Sequence, residues 1–205
     1  KNIKKHTYYN QASVADLFVD QLVKNNVEVI YINSGTDTVP IQEAFVKRKS
    51  FNLKNPKLVL CLDELVAGSA AHGHYLASNI PQAVIVHVDV GTLQLGGSLH
   101  NAQRGRAGIL FFAGRAPYTI DQKMAGERSA PIHWIQEQLD QHGIVRNYTK
   151  WDYELTQAAN INIAIQRAVQ IASSFPQGPI YMSLPRETLM QEFTELPKLS
   201  KKYPA

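Results

Sequence analysis

The sequence predicts an α/β protein built on a doubly wound, mostly parallel six-stranded sheet with helices on both faces. Three observations predict it. Short apolar runs recur along the chain. They lack polar alternation, as strands of a parallel sheet covered on both faces require. Each is followed by a Gly-containing turn and then a stretch with helical spacing, and such alternation gives parallel topology. The 205 residues, 44% hydrophobic and 19% charged, are ample for one buried core and short for two.

The first element is a helix from Ser13 to Lys24, with apolar residues at Val14, Leu17, Phe18, Leu22 and Val23. Ser13 is placed as its N-cap, and Asp16 follows three positions later. VEVIYI (Val27–Ile32) reads as a buried strand, NSGTDTVP as a turn, and the residues around Ile41–Lys47 as the next helix. The pattern repeats: KLVLCL before a helix at Glu64, QAVIVHVDV before GTLQLGGSLHNAQRG, and AGILFFAG before a long loop and PIHWIQEQLDQ. GIVRNYTK is a candidate strand, YELTQAANINIAIQRAVQIASS a long amphipathic helix, and GPIYMSLP a last buried strand. The tail loses helical periodicity and gains Pro185, Pro197 and Pro204. The expected organisation is one domain over residues 1–185, with 186–205 a linker or tail toward a following domain. A native disordered terminus fits the tail's composition equally.

Composition excludes several classes of function. The net charge is +4, but the lysines are dispersed and the densest pairs, Lys4-Lys5 and Lys201-Lys202, lie at the ends, so no nucleic-acid partner is expected. Cys61 is the single cysteine. That rules out an intrachain disulfide or a multi-cysteine metal site, and its apolar surroundings predict an inert buried thiol in a reducing compartment. No apolar run is long enough to span a bilayer, and KNIKKHTYYNQ lacks a signal peptide's hydrophobic centre. The expectation is a cytoplasmic protein with no membrane contact.

In open parallel sheets, ligands bind outside the carboxyl ends of the strands. Four segments follow strands there: Asn33–Thr38, Asp63–Gly68, Asp89–Gly97 and Gly114–Thr119. None carries G-x-G-x-x-G. Gly91 and Gly96 have P-loop spacing, but Gly97-Ser98 replaces the Lys-Ser/Thr that would reach terminal phosphates, which excludes a nucleoside triphosphatase. Glu64 is the sharper signal. The helix dipole favours its anion while apolar flanks favour its neutral form, a balance suited to proton transfer. The plain alternative is that Asp63 and Glu64 merely start a helix. Ala67, Gly68, Ser69, Ala70, Ala71 and Gly73 then leave a nearly bare surface, with Gly68 and Ala71 on the Glu64 face. Either a neighbouring helix or another subunit must pack closely there. His72 and His74 are two apart and cannot chelate like an i, i+4 pair. His87 reads as a hydrogen-bonded core imidazole within a strand, and His100 as a helix-surface or packing residue. His133-Trp134 is either a substrate-facing pair or a helix start. No Ser-His-Asp arrangement is apparent.

NNVEVIYINSGTDTVPIQEAF, LDELVAGSAAHGHYLA, AVIVHVDVGTLQLGGSLHNAQRGRAGILFFAGRAP and GPIYMSLPRETL together resemble the N-terminal pyrimidine-binding domain of thiamine diphosphate enzymes, particularly acetolactate synthase-like proteins. The resemblance covers nearly the whole chain. AAHGHY stands where that family has Ala-x-Gly-Tyr, Asp63 stands in place of its His, and VDVG (Val88–Gly91) stands in place of its Ser-Gly-Pro-Gly turn. By this resemblance Glu64 is the catalytic acid: it hydrogen-bonds N1′ of the cofactor's aminopyrimidine and favours the imino tautomer that removes the thiazolium C2 proton. The resemblance also assigns Gly35, Thr36, Glu64, Gly91, Thr92 and Gln94 to cofactor binding, and His133 to the substrate side. It implies no metal ligand in this chain, because the Gly-Asp-Gly…Asn segment that holds diphosphate and Mg2+ is absent. The implied partners are a diphosphate-binding domain of the same or another chain, a second copy in a homodimer or homotetramer, and a small 2-oxo acid; FAD is a further cofactor of some such enzymes. The implied activity is decarboxylation and carboligation of pyruvate. Two alternatives stand beside it: the pyrimidine-binding part of a simple 2-oxo acid decarboxylase, including a two-subunit one, and a non-catalytic paralogue that serves as an interaction module.

Overall fold

The structure, a computed structural model, describes residues 12–193; the terminal lysine pairs, Pro197 and Pro204 lie outside that range. Helix α1 spans Val14–Lys24 and begins as the sequence predicts. The Ser13 hydroxyl accepts the Asp16 N–H at 3.2 Å, and Asp16 Oδ2 accepts the Ser13 N–H at 2.9 Å. This reciprocal pair satisfies two otherwise orphaned donors.

Strands β1 (Val29–Ile32), β2 (Lys57–Leu60), β3 (Ala83–Val86), β4 (Leu110–Arg115), β5 (Trp151–Glu154) and β6 (Ile180–Pro185) form one sheet in the order β2-β1-β3-β4-β6-β5. Every neighbouring pair is parallel. The crossovers are α2 (Val39–Ser50), α3 (Glu64–Ser78), the consecutive α4 (Val88–Gln94) and α5 (Gly96–Arg104), and α7 (Ile161–Ser173), with a short α6 (Ile132–Ile135) in the loop after β4. Strand alternation splits the core into two layers. Ile30, Ile85, Phe112 and Met182 face α1, α2 and α7, where Phe18 meets Phe112 edge-on at 4.9 Å. Val84, Phe111 and Tyr181 pack on the other side with Ala67, Ala71 and Leu99 from α3 and α5. Burying each such phenylalanine stabilises the fold by about 1.5–3 kcal/mol.

Three boundaries differ from expectation. The apolar run QAVIVHVDV stops being strand at Val86: His87 takes the N-cap position of α4 without a side-chain cap bond, and Val88, at φ +34°, turns the chain directly into that helix. The GIVRNYTK segment forms two 3-10 turns, His142–Ile144 and Arg146–Tyr148, and the strand comes next, at Trp151–Glu154. Trp151 and Tyr153 stack there at 5.3 Å, a same-face pairing of β-favouring aromatics. The long helix therefore begins at Ile161. Lastly, the expected boundary at 185 is not a structural break. Helix α8 (Arg186–Met190) buries Glu187, Thr188 and Leu189, and Glu192 bridges back to Ser13.

Candidate active site

The carboxyl ends of β1, β2, β3 and β4 converge on one cluster. Asp63 caps α3, accepting the Val66 N–H at 3.2 Å, which places Glu64 in the first turn as predicted. Glu64 is partly exposed. Its Oε1 would lie 3.3 Å from a Cβ on Gly91, and Val86 Cβ would lie 3.0 Å from it, so the bare glycine backbone packs closely beside this carboxyl and a side chain there would press on both neighbours. The loop after β1 closes the other side. A Cβ on Gly35 would overlap the His87 ring, so Gly35 and His87 are in close contact.

His87 is hydrogen-bonded, but it is half-buried beside the cluster and not in the core. Its Nδ1 donates to Asp37 Oδ1 at 2.6 Å, and Asp37 Oδ2 accepts the Val88 N–H at 3.3 Å. A carboxylate only accepts, so the Nδ1 hydrogen is committed and Nε2 is the nitrogen left to exchange a proton. The hydrogen bond to Asp37 raises the His87 pKa; burial opposes this, and the charges of Asp37, Asp89 and Glu64 add to the rise. With the folded pKa above that of the unfolded chain, the pair's contribution is fully present below about pH 6.5 and is lost as pH rises through the folded value. Asp37→Asn is therefore expected to cost about 1 kcal/mol near pH 6, since the ring is 28% exposed and partly screened. The cost should shrink near pH 9; thermal melts at the two pH values check this.

The structure places the predicted residues in four settings. Gly35, Glu64 and Gly91 come together. Thr92 is fully buried, and its hydroxyl is spent on the Val88 carbonyl at 2.6 Å and Tyr181 at 2.8 Å. Thr36 and Gln94 are exposed. Thr36 also lines a cavity of about 630 Å3 between α1, α2 and α8, whose walls include Lys47, Arg186 and Met190. His133 is buried within its own loop: Nδ1 accepts the Ser129 N–H at 3.1 Å and its carbonyl accepts from Arg128. Burial, then the charges of Arg186 and Arg128, lowers its pKa. Arg128 in turn stacks on Trp134 at 4.0 Å and pairs with Glu137 at 2.6 Å.

The bare face of α3 has its partner within the chain. A Cβ on Gly68 would overlap Ser98 of α5 and come within 3.3 Å of Phe111. A neighbouring helix, not a subunit, fills that face, while Leu65, Val66 and Leu76 remain exposed on the other. His74 meets the Tyr31 hydroxyl at 3.2 Å and His72 lies against Gly105, so the two diverge. Among the described residues no cluster of three His, Cys, Asp or Glu could hold a metal ion, and no helix is long and apolar enough to cross a membrane.

Sequence reasoning missed one triad-like arrangement. Ser183 Oγ lies 2.7 Å from His142 Nε2, and His142 Nδ1 lies 2.9 Å from Asp152 Oδ1. Ser183 has no exposed surface and also donates to Glu154 at 3.2 Å, so the hydroxyl is out of a substrate's reach and staples β5 to β6.

Comparison with known proteins accords with this geometry. The family described as "Thiamine pyrophosphate enzyme, N-terminal TPP binding domain" matches residues 12–144. The catalytic subunit of mitochondrial acetolactate synthase from Saccharomyces cerevisiae is 25% identical over 83% of this chain and 23% of its own length. Benzoylformate decarboxylase from Pseudomonas aeruginosa is 25% identical over 83% of this chain and 29% of its own length. A thiamine diphosphate-dependent 4-hydroxybenzoylformate decarboxylase from Rhodococcus jostii shares the fold with a TM-score of 0.73 at 21% identity, over 88% of this chain and 31% of that one. The chain thus spans about a quarter of the length of these curated relatives. It belongs to the thiamine pyrophosphate enzymes, and corresponds to their N-terminal cofactor-binding domain.

Proposed function

We propose that this chain holds the aminopyrimidine of thiamine diphosphate in an enzyme that decarboxylates pyruvate and joins the fragment to a second 2-oxo acid, as acetolactate synthases do. The observation that carries the reading is the Glu64 carboxyl set against the bare Gly91 backbone at the sheet's carboxyl edge. The residues fit the group. A flat ring needs a surface free of side chains beside an acid that can share a proton with a ring nitrogen, and Gly91 and Glu64 supply both. When bound, thiamine diphosphate supplies the carbon acid and the electron sink for decarboxylation. Glu64 holds or releases the proton at N1′. His87, its Nδ1 hydrogen held by Asp37, presents Nε2 to move a proton on the substrate side. Exposed Val90 and Leu93 on α4 give the diphosphate-binding domain of the same or another chain an apolar face to cover, which would exclude water. That domain would carry Mg2+, and a homodimer or homotetramer is the assembly implied; FAD would bind outside this chain.

A simple 2-oxo acid decarboxylase is the second reading, favoured by the equal identity to benzoylformate decarboxylase. Full-length protein supplied with thiamine diphosphate, Mg2+ and pyruvate is expected to form acetolactate. Aldehyde without a carboligation product moves the assignment to the second reading. No carbon dioxide from either pyruvate or benzoylformate contradicts both and leaves the non-catalytic paralogue.

A further inference from the structure

Val88 is β-branched yet sits at φ +34°, a conformation that costs about 1–3 kcal/mol and persists only where the surroundings over-determine it. Both of its peptide groups are held. The N–H donates to Asp37, and the carbonyl accepts the Thr92 hydroxyl hydrogen at 2.6 Å. Having spent its one hydrogen, Thr92 can only accept from Tyr181 at 2.8 Å. Tyr181 in turn accepts from Gln141 Nε2 at 2.8 Å, with Thr92 Oγ1 a longer second acceptor at 3.5 Å, and the other Nε2 hydrogen goes to the Gly114 carbonyl at 2.8 Å. Proton counting thus fixes the direction of the chain: Gln141 to Tyr181 to Thr92 to Val88. Thr92 and Tyr181 are fully buried and Gln141 is 2% exposed, so water does not compete for these bonds. A phenol keeps its proton at neutral pH, and burial pushes the Tyr181 pKa further up, to about 12. Packing alone explains an aromatic ring at 181; the hydroxyl is explained by the bond it makes.

We propose that Tyr181 and Gln141 are positioning residues which, through Thr92, hold Val88 in its strained turn and so keep His87 on Asp37 and Gly91 against Glu64. Sealed beneath the site, they touch no ligand and act only through the turn. The inference rests on the reading of Glu64 as the cofactor-facing acid.

In the full-length protein, Tyr181→Phe removes the Gln141–Tyr181 and Tyr181–Thr92 bonds and Thr92→Val removes the bonds of Thr92 to the Val88 carbonyl and to Tyr181, each at nearly constant volume, whereas Thr92→Ser retains the hydroxyl. The first readout needs no cofactor: the His87 imidazole is titrated by NMR in selectively labelled protein. The charged groups facing it are Asp37 from the loop after β1, Asp89 on α4 and Glu64 on α3. In Tyr181→Phe and Thr92→Val, His87 is expected to lose its hold on Asp37, and its midpoint to fall toward the ordinary 6.5; Thr92→Ser should titrate as wild type. The second readout, C2–H exchange of bound thiamine diphosphate, should slow about tenfold or more in the two deletion variants. An unchanged His87 midpoint in folded Tyr181→Phe and Thr92→Val overturns the proposal. If Tyr181→Phe does not fold, the contrast between Thr92→Val and Thr92→Ser decides. Failure of the Glu64 reading shows separately, as exchange indifferent to Glu64→Gln, while the His87 titration still reports on the turn.

Discussion

Replacing Gly114 with alanine is expected to destabilise the protein by about 3 kcal/mol, the upper end for a methyl group forced into a packed site. Gly114 lies in β4, and its added Cβ would overlap Asp37 Oδ2. Asp37 is 5% exposed and spans His87 Nδ1 and the Val88 N–H, so it cannot retreat without breaking both bonds. Alanine there has two costly outcomes, a strained β4 or an Asp37 expelled from its partners. Gly35→Ala should cost less, although its Cβ would overlap the His87 ring, because that side chain is 28% exposed and has solvent to move into. Urea unfolding of the two variants checks the order; a Gly114→Ala protein as stable as wild type would show that Asp37 is not fixed as described.

What was legible in the sequence, and what was not, follows from the range of the interactions. Ser13 and Asp16 cap α1 through bonds three residues apart, and Asp63 caps α3 in the same way, so local pattern sufficed. β1, β3, β4 and β6 were legible because their runs are apolar on both faces, as two core layers demand, and the edge strand β2 because its run is apolar although mostly exposed. His87 was misplaced because HVDV continues a strand-like pattern; what ends the strand is Asp37, which holds the Val88 N–H from 51 residues away. β5 was misplaced because it is half-buried throughout and so shows no apolar run. Glu64 stood out by its place at the head of a Gly/Ala helix. Tyr181, Gln141 and Gly114 did not, since their roles arise only when β4, β6 and the loop before β5 are brought together. Asp37 and Gly114 did lie in the post-strand segments where ligand chemistry was expected.

The central claim is that the Glu64 carboxyl exchanges a proton with the cofactor's aminopyrimidine. Glu64→Gln keeps the side chain's size and an acceptor oxygen but cannot take up or release a proton at neutral pH. It is therefore expected to leave the fold and the melting temperature near wild type while slowing C2–H exchange of bound thiamine diphosphate by about 10²–10⁴-fold, the range for a lost acid-base group. The measurement is hydrogen–deuterium exchange at C2 in quenched holoprotein, full-length, wild type against Glu64→Gln. A large loss of rate with cofactor still bound is the predicted result; equal rates in the two proteins would contradict the account.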